Sequence, residues 1–257
     1  MAELGADDRI DAHLVCGGRF HDFDFARMQL LQLMGEDPRI RVTVSADYSD
    51  LFSISNADFL VTYTCDVRPD PREQAVLERY VRKGGKWLAL HGTNSALEMG
   101  NGVATPRVLG SVAKVLGSQF IAHPPIQEFT VEVTDPDHPL VEGIEPFQTD
   151  DEIYLCELHD PEEHTVLLHT HWHGDTGAGG FHENEWPDDD PRPISYLRPY
   201  GDGCVLYNNL GHCRGHWDMQ PMVPFYPKIE RGSWEQPAFY ELLRRAIRWA
   251  TGDLAAA

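Results

Sequence analysis

Histidine is the residue type with which this chain could do most chemistry. The 257 residues hold 13 of them. His21, His91 and His212 fall just past runs that read as strands: Ala12 to Cys16, Trp87 to Leu90 and Cys204 to Asn208. An imidazole can ligate a metal, act as a general base or bond a sugar hydroxyl. Any one of these is more commonly a satisfied turn histidine. At matching ends of neighbouring parallel strands, however, they would converge on the carboxyl-edge crevice where open α/β sheets bind ligands.

His91 is the centre of this pattern. Gly84 and Gly85 stop a helix, Trp87 to Leu90 reads as a buried strand, and His91-Gly92 follows at once. Thr93, Asn94 and Ser95 are good N-caps, so the spacing predicts a helix starting there. A sharp strand-to-helix turn is the geometry by which nucleophile elbows lift a Ser or Cys above a sheet. Here that position carries a histidine.

Two further clusters carry a weaker signal. His169-Thr-His171-Trp-His173 has period two, so on a strand its imidazoles share one face, as a metal site could use. A solvated edge strand is the blander and slightly favoured reading. Asp150-Asp151-Glu152 could be an acid–base pair or a metal arm, although spacing alone favours an acidic turn. Asp188 to Asp190 reads as solvated charge. There is no P-loop, no GxSxG, no HExxH and no GxGxxG after the first strand. A kinase, a serine hydrolase and an enzyme with a nucleotide cofactor are therefore disfavoured.

The elements that must position these residues follow from periodicity. Ala12 to Cys16, Ile40 to Val44, Asp58 to Thr64 and Trp87 to Leu90 read as strands. Helices are predicted over Phe23 to Gly35, Pro71 to Arg82, Pro106 to Leu116 and Glu235 to Ala250. This alternation means a parallel sheet with right-handed crossovers. Gln127 to Val133, Thr165 to Thr170 and Pro193 to Arg198 are later strand candidates, the first of them read as half-exposed and antiparallel. Met99 to Thr105, 172–190 and 219–234 read as loops. The reading is one domain over 1–257, with its core at about 12–252.

Composition narrows the class. Formal charge is −20, from 21 basic and 41 acidic residues, which argues against nucleic acid and anionic membranes as partners. Five dispersed cysteines without a CxxC favour reduced thiols and a cytoplasmic setting. The acidic segment Met1 to Asp11 lacks the apolar region of an export signal. A homo-oligomer is compatible with all of this.

The ordered motifs resemble the ThuA-like family, named for trehalose utilisation. They are Cys16-Gly-Gly-Arg-Phe-His-Asp22, Gly84-Gly-Lys-Trp-Leu-Ala-Leu-His-Gly92, Gly117-Ser-Gln-Phe-Ile-Ala-His-Pro124, Asp137-His-Pro139, Asp150-Asp-Glu-Ile-Tyr154, Leu210-Gly-His212 and Ala246-Ile-Arg-Trp-Ala-Thr-Gly252. The resemblance implies a flavodoxin-like, class I glutamine amidotransferase-like three-layer α/β sandwich, its central sheet mostly parallel with antiparallel additions. On that fold the amidotransferase elbow cysteine would fall on His91 and the triad histidine on His212. The thiol is absent, so no glutaminase activity is expected. Relative to simpler members, 169–190 and 221–234 are departures.

The resemblance further implies an enzyme acting on a small-molecule sugar or keto-glycoside, with a divalent metal, zinc or manganese, as an expected cofactor. His91, His212 and Glu152 are the candidate catalytic residues. His21, His91 and His212 are the candidate metal ligands. Asp22, Asp66, Asn94, His123 and Asp151 are the candidate substrate-binding residues. Two rivals remain: a non-catalytic sugar-binding or regulatory protein on the same fold, and an amidase-like hydrolase with a relocated nucleophile such as Cys65.

Overall fold

The computed structural model describes residues 5, 8–100, 102–177 and 181–255. In chain order β1 (Ile10–Gly18), α1 (Phe23–Met34), β2 (Ile40–Ser45), α2 (Leu51–Asn56), β3 (Phe59–Cys65), α3 (Pro71–Arg82) and β4 (Lys86–Leu90) come first. A hairpin of β5 (Glu98–Gly100) and β6 (Gly102–Ala104) follows, then α4 (Ser111–Leu116), β7 (Ser118–Ala122), β8 (Gln127–Val133), β9 (Phe147–Asp151) and β10 (Leu155–Leu158). The chain continues with β11 (Thr165–His171), the short pair β12 (Gly174–Asp175) and β13 (Glu185–Trp186), β14 (Pro191–Tyr200), β15 (Gly203–Asn208) and α5 (Pro237–Thr251).

The main sheet has the order β2-β1-β3-β4-β15-β14-β11-β8-β9. From β2 to β15 neighbouring strands pair in parallel. From β15 outward through β14, β11, β8 and β9 they pair antiparallel. The inner parallel strands are buried on both faces, as runs such as Phe59 to Tyr63 foretell, while β2 at the edge is only half-buried. One apolar cluster joins Ala26, Leu30 and Leu33 of α1 to Phe239, Leu243 and Ile247 of α5. A second joins Ile54 of α2, Leu77 and Val81 of α3, and Val112 and Leu116 of α4 on the other face. The result is the three-layer α/β sandwich expected.

Local chemistry sets the element ends. The Asp70 side chain accepts from the Glu73 backbone N–H while Glu73 bonds back to the Asp70 backbone N–H, a capping box at the start of α3. The Asp22 side chain caps α1 in the same way, accepting from the Phe25 N–H.

Several expectations change. No α-helix follows β4; His91–Asn94 is a single 3-10 turn. The helix expected from Pro106 begins only at Ser111, because Gly110 has a φ of 57° that breaks it. Where Met99 to Thr105 read as a loop, β5 and β6 pair antiparallel. Within the loop read over 172–190, β12 pairs with β13. β7 and β9 escape the periodicity because polar residues such as Ser118, Gln119, Thr149 and Asp151 occupy buried positions on them, and β10 is only four residues long. Among the described residues no helix is long and apolar enough to cross a membrane.

Candidate functional site

The site lies at the carboxyl edge of the parallel strands. His91 follows β4 with a φ of 45°, a left-handed conformation unusual for a side-chain-bearing residue. Phe20 (φ 75°) and Asp66 (φ 57°), at the ends of the neighbouring β1 and β3 loops, share it. Backbone strain gathered where strand ends meet is a mark of functional sites. Gly92 makes the turn feasible: a Cβ there would lie 2.6 Å from the Thr64 carbonyl oxygen. His91 thereby comes into contact with His21, its Nε2 lying 2.9 Å from that of His21.

Four buried side chains offer donors within 4.8 Å of one another: His21, His91, His212 and Glu152. Glu152 Oε2 stands 3.6 Å from His21 Nε2, 3.4 Å from His91 Nε2 and 3.3 Å from His212 Nδ1. Its other oxygen faces outward, 3.3 Å from His123 Nε2 and 3.8 Å from the Arg214 guanidinium.

The far nitrogen of each inner histidine is engaged. His21 Nδ1 donates to the Arg19 carbonyl at 3.2 Å, and His91 Nδ1 to the Asn209 carbonyl at 2.7 Å. His212 Nε2 is bonded to Glu230 at 3.0 Å. Partners of this kind fix the tautomer of metal-binding histidines. They turn three lone pairs toward one point, and the buried His212 Nδ1 has no hydrogen-bond partner. Two imidazole lone pairs 2.9 Å apart repel unless a proton or a metal cation lies between them. A set of three imidazoles and one carboxylate suits zinc, manganese or iron, so the residues present fit a divalent metal.

Electrostatics agree with that arrangement. Burial pushes the His21 pKa down to about 3, Glu152 opposing only in part, so this ring is neutral and able to ligate. Burial also works against a charge on His212, but the carboxylates of Glu152 and Glu230 prevail and raise it to about 9. Burial alone would raise Glu152; His123, His212 and His21 instead hold it well below the ordinary carboxylate value.

Above the cluster opens a cavity of about 230 Å³ whose lining includes His21, Glu152, His123 and Arg214. His91 and His212 are 1% and 0% exposed and lie beneath its floor. This geometry suits them as ligands rather than as groups touching substrate. The other candidates are distributed unevenly. His123 lines the cavity. Asp151 is buried and accepts the backbone N–H groups of Gly211, His212 and Ser233, so it pins the His212 loop and is not available to substrate. Asp22 caps α1 and pairs with Arg231 at 3.2 Å. Asp66 accepts the Leu97 N–H at 2.9 Å, and Asn94 donates to Ser118 Oγ at 2.8 Å. None of these four lines the cavity.

Sequence reasoning missed Arg214, Glu230 and Tyr226. Glu230 accepts from His212, from Arg214 at 3.1 Å and from the Tyr226 hydroxyl at 3.0 Å. Glu230 and Tyr226 fall in the segment read as a plain loop, and no spacing marks them. Arg214, two residues past His212, was the only one near a recognisable motif.

The fold and this edge site define a class: a three-layer α/β sandwich with three buried histidines and a glutamate gathered at the carboxyl edge of its parallel strands. Residues 14–224 match the sequence profile of the ThuA family, described as trehalose utilisation, and the chain belongs to that family. A ThuA-like protein from Bacteroides uniformis is similar in structure, with a TM-score of 0.65 and 17% identity over 97% of this chain and 94% of that one. One from Parabacteroides merdae follows at 0.61 and 17%, over 95% and 91%. The β-galactosidase of Bacillus circulans sp. alkalophilus matches at 0.54 and 10%, over 96% of this chain but only 31% of its own. At these identities the likeness is one of fold. No curated protein matches the sequence.

Proposed function

We propose that this protein is a metal-assisted enzyme acting on a sugar or keto-glycoside. Membership of a family described as trehalose utilisation supports carbohydrate as the substrate class. The observation that carries the metal is the set of three imidazole lone pairs, each fixed by a partner on the opposite nitrogen, around one carboxylate oxygen.

His21, His91, His212 and Glu152 would hold the ion. A divalent ion there supplies Lewis-acid polarisation of a sugar carbonyl or hydroxyl oxygen. Four protein donors fill the usual shell of zinc. A six-coordinate ion such as manganese therefore suits the catalytic role better. The chain itself supplies the groups that face the ligand. His123, whose Nδ1 is held by the Pro124 carbonyl at 2.7 Å, presents Nε2 beside the outward oxygen of Glu152. It is placed to take or give a proton. Arg214 is held by the Phe20 carbonyl at 3.0 Å and by Glu230, and it offers a fixed positive charge to an oxygen-rich ligand.

The relocated-thiol reading loses support here. Burial pushes the Cys65 thiol up to about 12, which leaves no thiolate at neutral pH. The test is elemental analysis of protein purified without chelator, followed by a panel of disaccharides and their keto derivatives. We expect close to one equivalent of metal, and turnover that chelation abolishes and manganese restores. Well under one equivalent, with no thermal shift on adding metal, overturns the metal. Sugar binding without turnover favours the non-catalytic reading.

A further inference from the structure

The cavity above the cluster is chemically lopsided. The polar His21, Glu152, His123 and Arg214 gather around the cluster, and the rest of the lining is mostly carbon, with Phe20, Leu97, Phe120, Phe181, Met219 and Met222 outweighing the hydroxyl of Ser95. An aromatic series climbs from the floor to the rim. Ring centroids lie 4.5 Å apart for His91 and Tyr154, 4.3 Å for Tyr154 and Phe120, and 5.7 Å for Phe120 and Phe181. The wall residues furthest along the chain come from two excursions away from the main sheet. Phe181 belongs to 172–190, and Met219 and Met222 to 219–234.

A disaccharide presents hydroxyls on both rings. One ring could satisfy them on the floor, but the second would lie against carbon with its hydroxyls stripped of water and unpaired, which is costly. An aryl or long alkyl substituent reverses that balance, because removing it from water is favourable. Flexible methionines adapt to such groups without fixed geometry.

We infer that the substrate is a glycoside with an apolar aglycone: the sugar ring on the polar floor and the aglycone against the Phe120–Phe181 and Met219–Met222 walls. This rests on the reading of the cluster as a sugar site. It assigns specificity to the two excursions and leaves the sheet edge to do the chemistry.

The experiment is calorimetric titration of manganese-loaded protein with methyl and phenyl glucosides, both anomers of each, and with phenol alone. We expect a phenyl glucoside to bind at least tenfold tighter than its methyl counterpart. In Phe181→Ser and Met222→Ser the ratio of the two affinities should collapse toward one, with metal content and melting temperature reporting that the variants are folded. Equal binding of methyl and phenyl glucosides, or a ratio untouched in folded variants, overturns this inference and leaves the sugar reading standing. Phenol binding as tightly as phenyl glucoside, or no binding of any glucoside, overturns both.

Discussion

Among the described residues, two groups bring histidines and a carboxylate within ligating distance of one another. One group is His21, His91 and His212 around Glu152; the other is His169 and His171 with Glu132, on the β11–β8 strand pair. The residue types are the same, but the surroundings are opposite. Glu152 is 3% exposed and every imidazole around it has its far nitrogen engaged. Glu132 is 49% exposed, and its oxygen lies 3.7 Å from His169 Nε2. His173 falls beyond the end of β11 and pairs with Asp189 at 3.1 Å, so the three alternate histidines do not share one strand. In water an ion pair of this sort contributes about 0–1 kcal/mol. When buried, each lone pair must be answered; a proton serves two at most, whereas one metal ion answers three at once. His169 Nδ1 and His171 Nδ1 are engaged too, by Thr134 Oγ1 at 2.8 Å and the Asp189 carbonyl at 3.0 Å, so ligand types at a workable spacing with second partners do not make a site; desolvation separates the two groups.

That contrast is most easily broken at the two carboxylates. Glu152→Gln should reduce metal retention and kcat/KM more than a hundredfold, whereas Glu132→Gln should change neither. It should also destabilise the metal-free protein, but by less than the about 3–5 kcal/mol of a fully unpaired buried charge, since Glu230 still holds His212 at 3.0 Å. Elemental analysis, kinetics and denaturant melts read all three effects. Equal behaviour of the two variants would erase the distinction drawn between the clusters.

His91→Ala and His212→Ala come next. Each alone should lose most metal binding and activity, and the double variant should lose little more, because residues acting as a unit are not additive. Additive unfolding with intact binding would make them ordinary buried histidines. A smaller effect is expected at Glu230→Gln, which keeps all four donors but loosens the tautomer of His212. Metal affinity should fall about 10–100-fold, measured by competition with a chelator.

His13 sharpens the comparison from another side. It is buried but has only hydroxyl partners, Thr43 at 2.8 Å and Ser45 at 3.0 Å, and burial holds its pKa below the ordinary 6.5. The folded state therefore binds this proton less readily than the unfolded state does. Stability from His13 is fully present above pH 6.5 and declines as pH falls through its folded value. His13→Gln should flatten the acid side of the stability curve in melts taken below pH 6.5. The smallest change belongs to His169→Ala with His171→Ala, within about 0.5 kcal/mol in stability and without effect on tightly held metal.

The histidines at strand ends were legible because strand period and helix stops fix where a parallel strand finishes, and whatever follows it must stand at the carboxyl edge. Glu152 was legible only as one of a carboxylate trio, because its position just past β9 depends on a strand whose buried face carries Thr149 and Asp151 and so hides its own alternation. Asp151 shows the reverse: it looks as able to bind substrate as Glu152, yet four backbone N–H groups consume it. Nothing in a run of amino acids says which of two adjacent carboxylates will be spent on the backbone.

The sequence by itself determined the alternating β/α core, the family, and the placing of His21, His91 and His212 at one edge, since these rest on short-range periodicity and on residues next to it. The tertiary structure alone decided that Glu152 joins them, that Glu230 and Arg214 come from the 214–230 segment to hold and face the cluster, and that His91 and His212 lie below the cavity floor. Those outcomes depend on contacts between residues far apart in the chain, as with the 61 positions that separate Asp151 from His212, and on which polar atoms are left without water once the layers close.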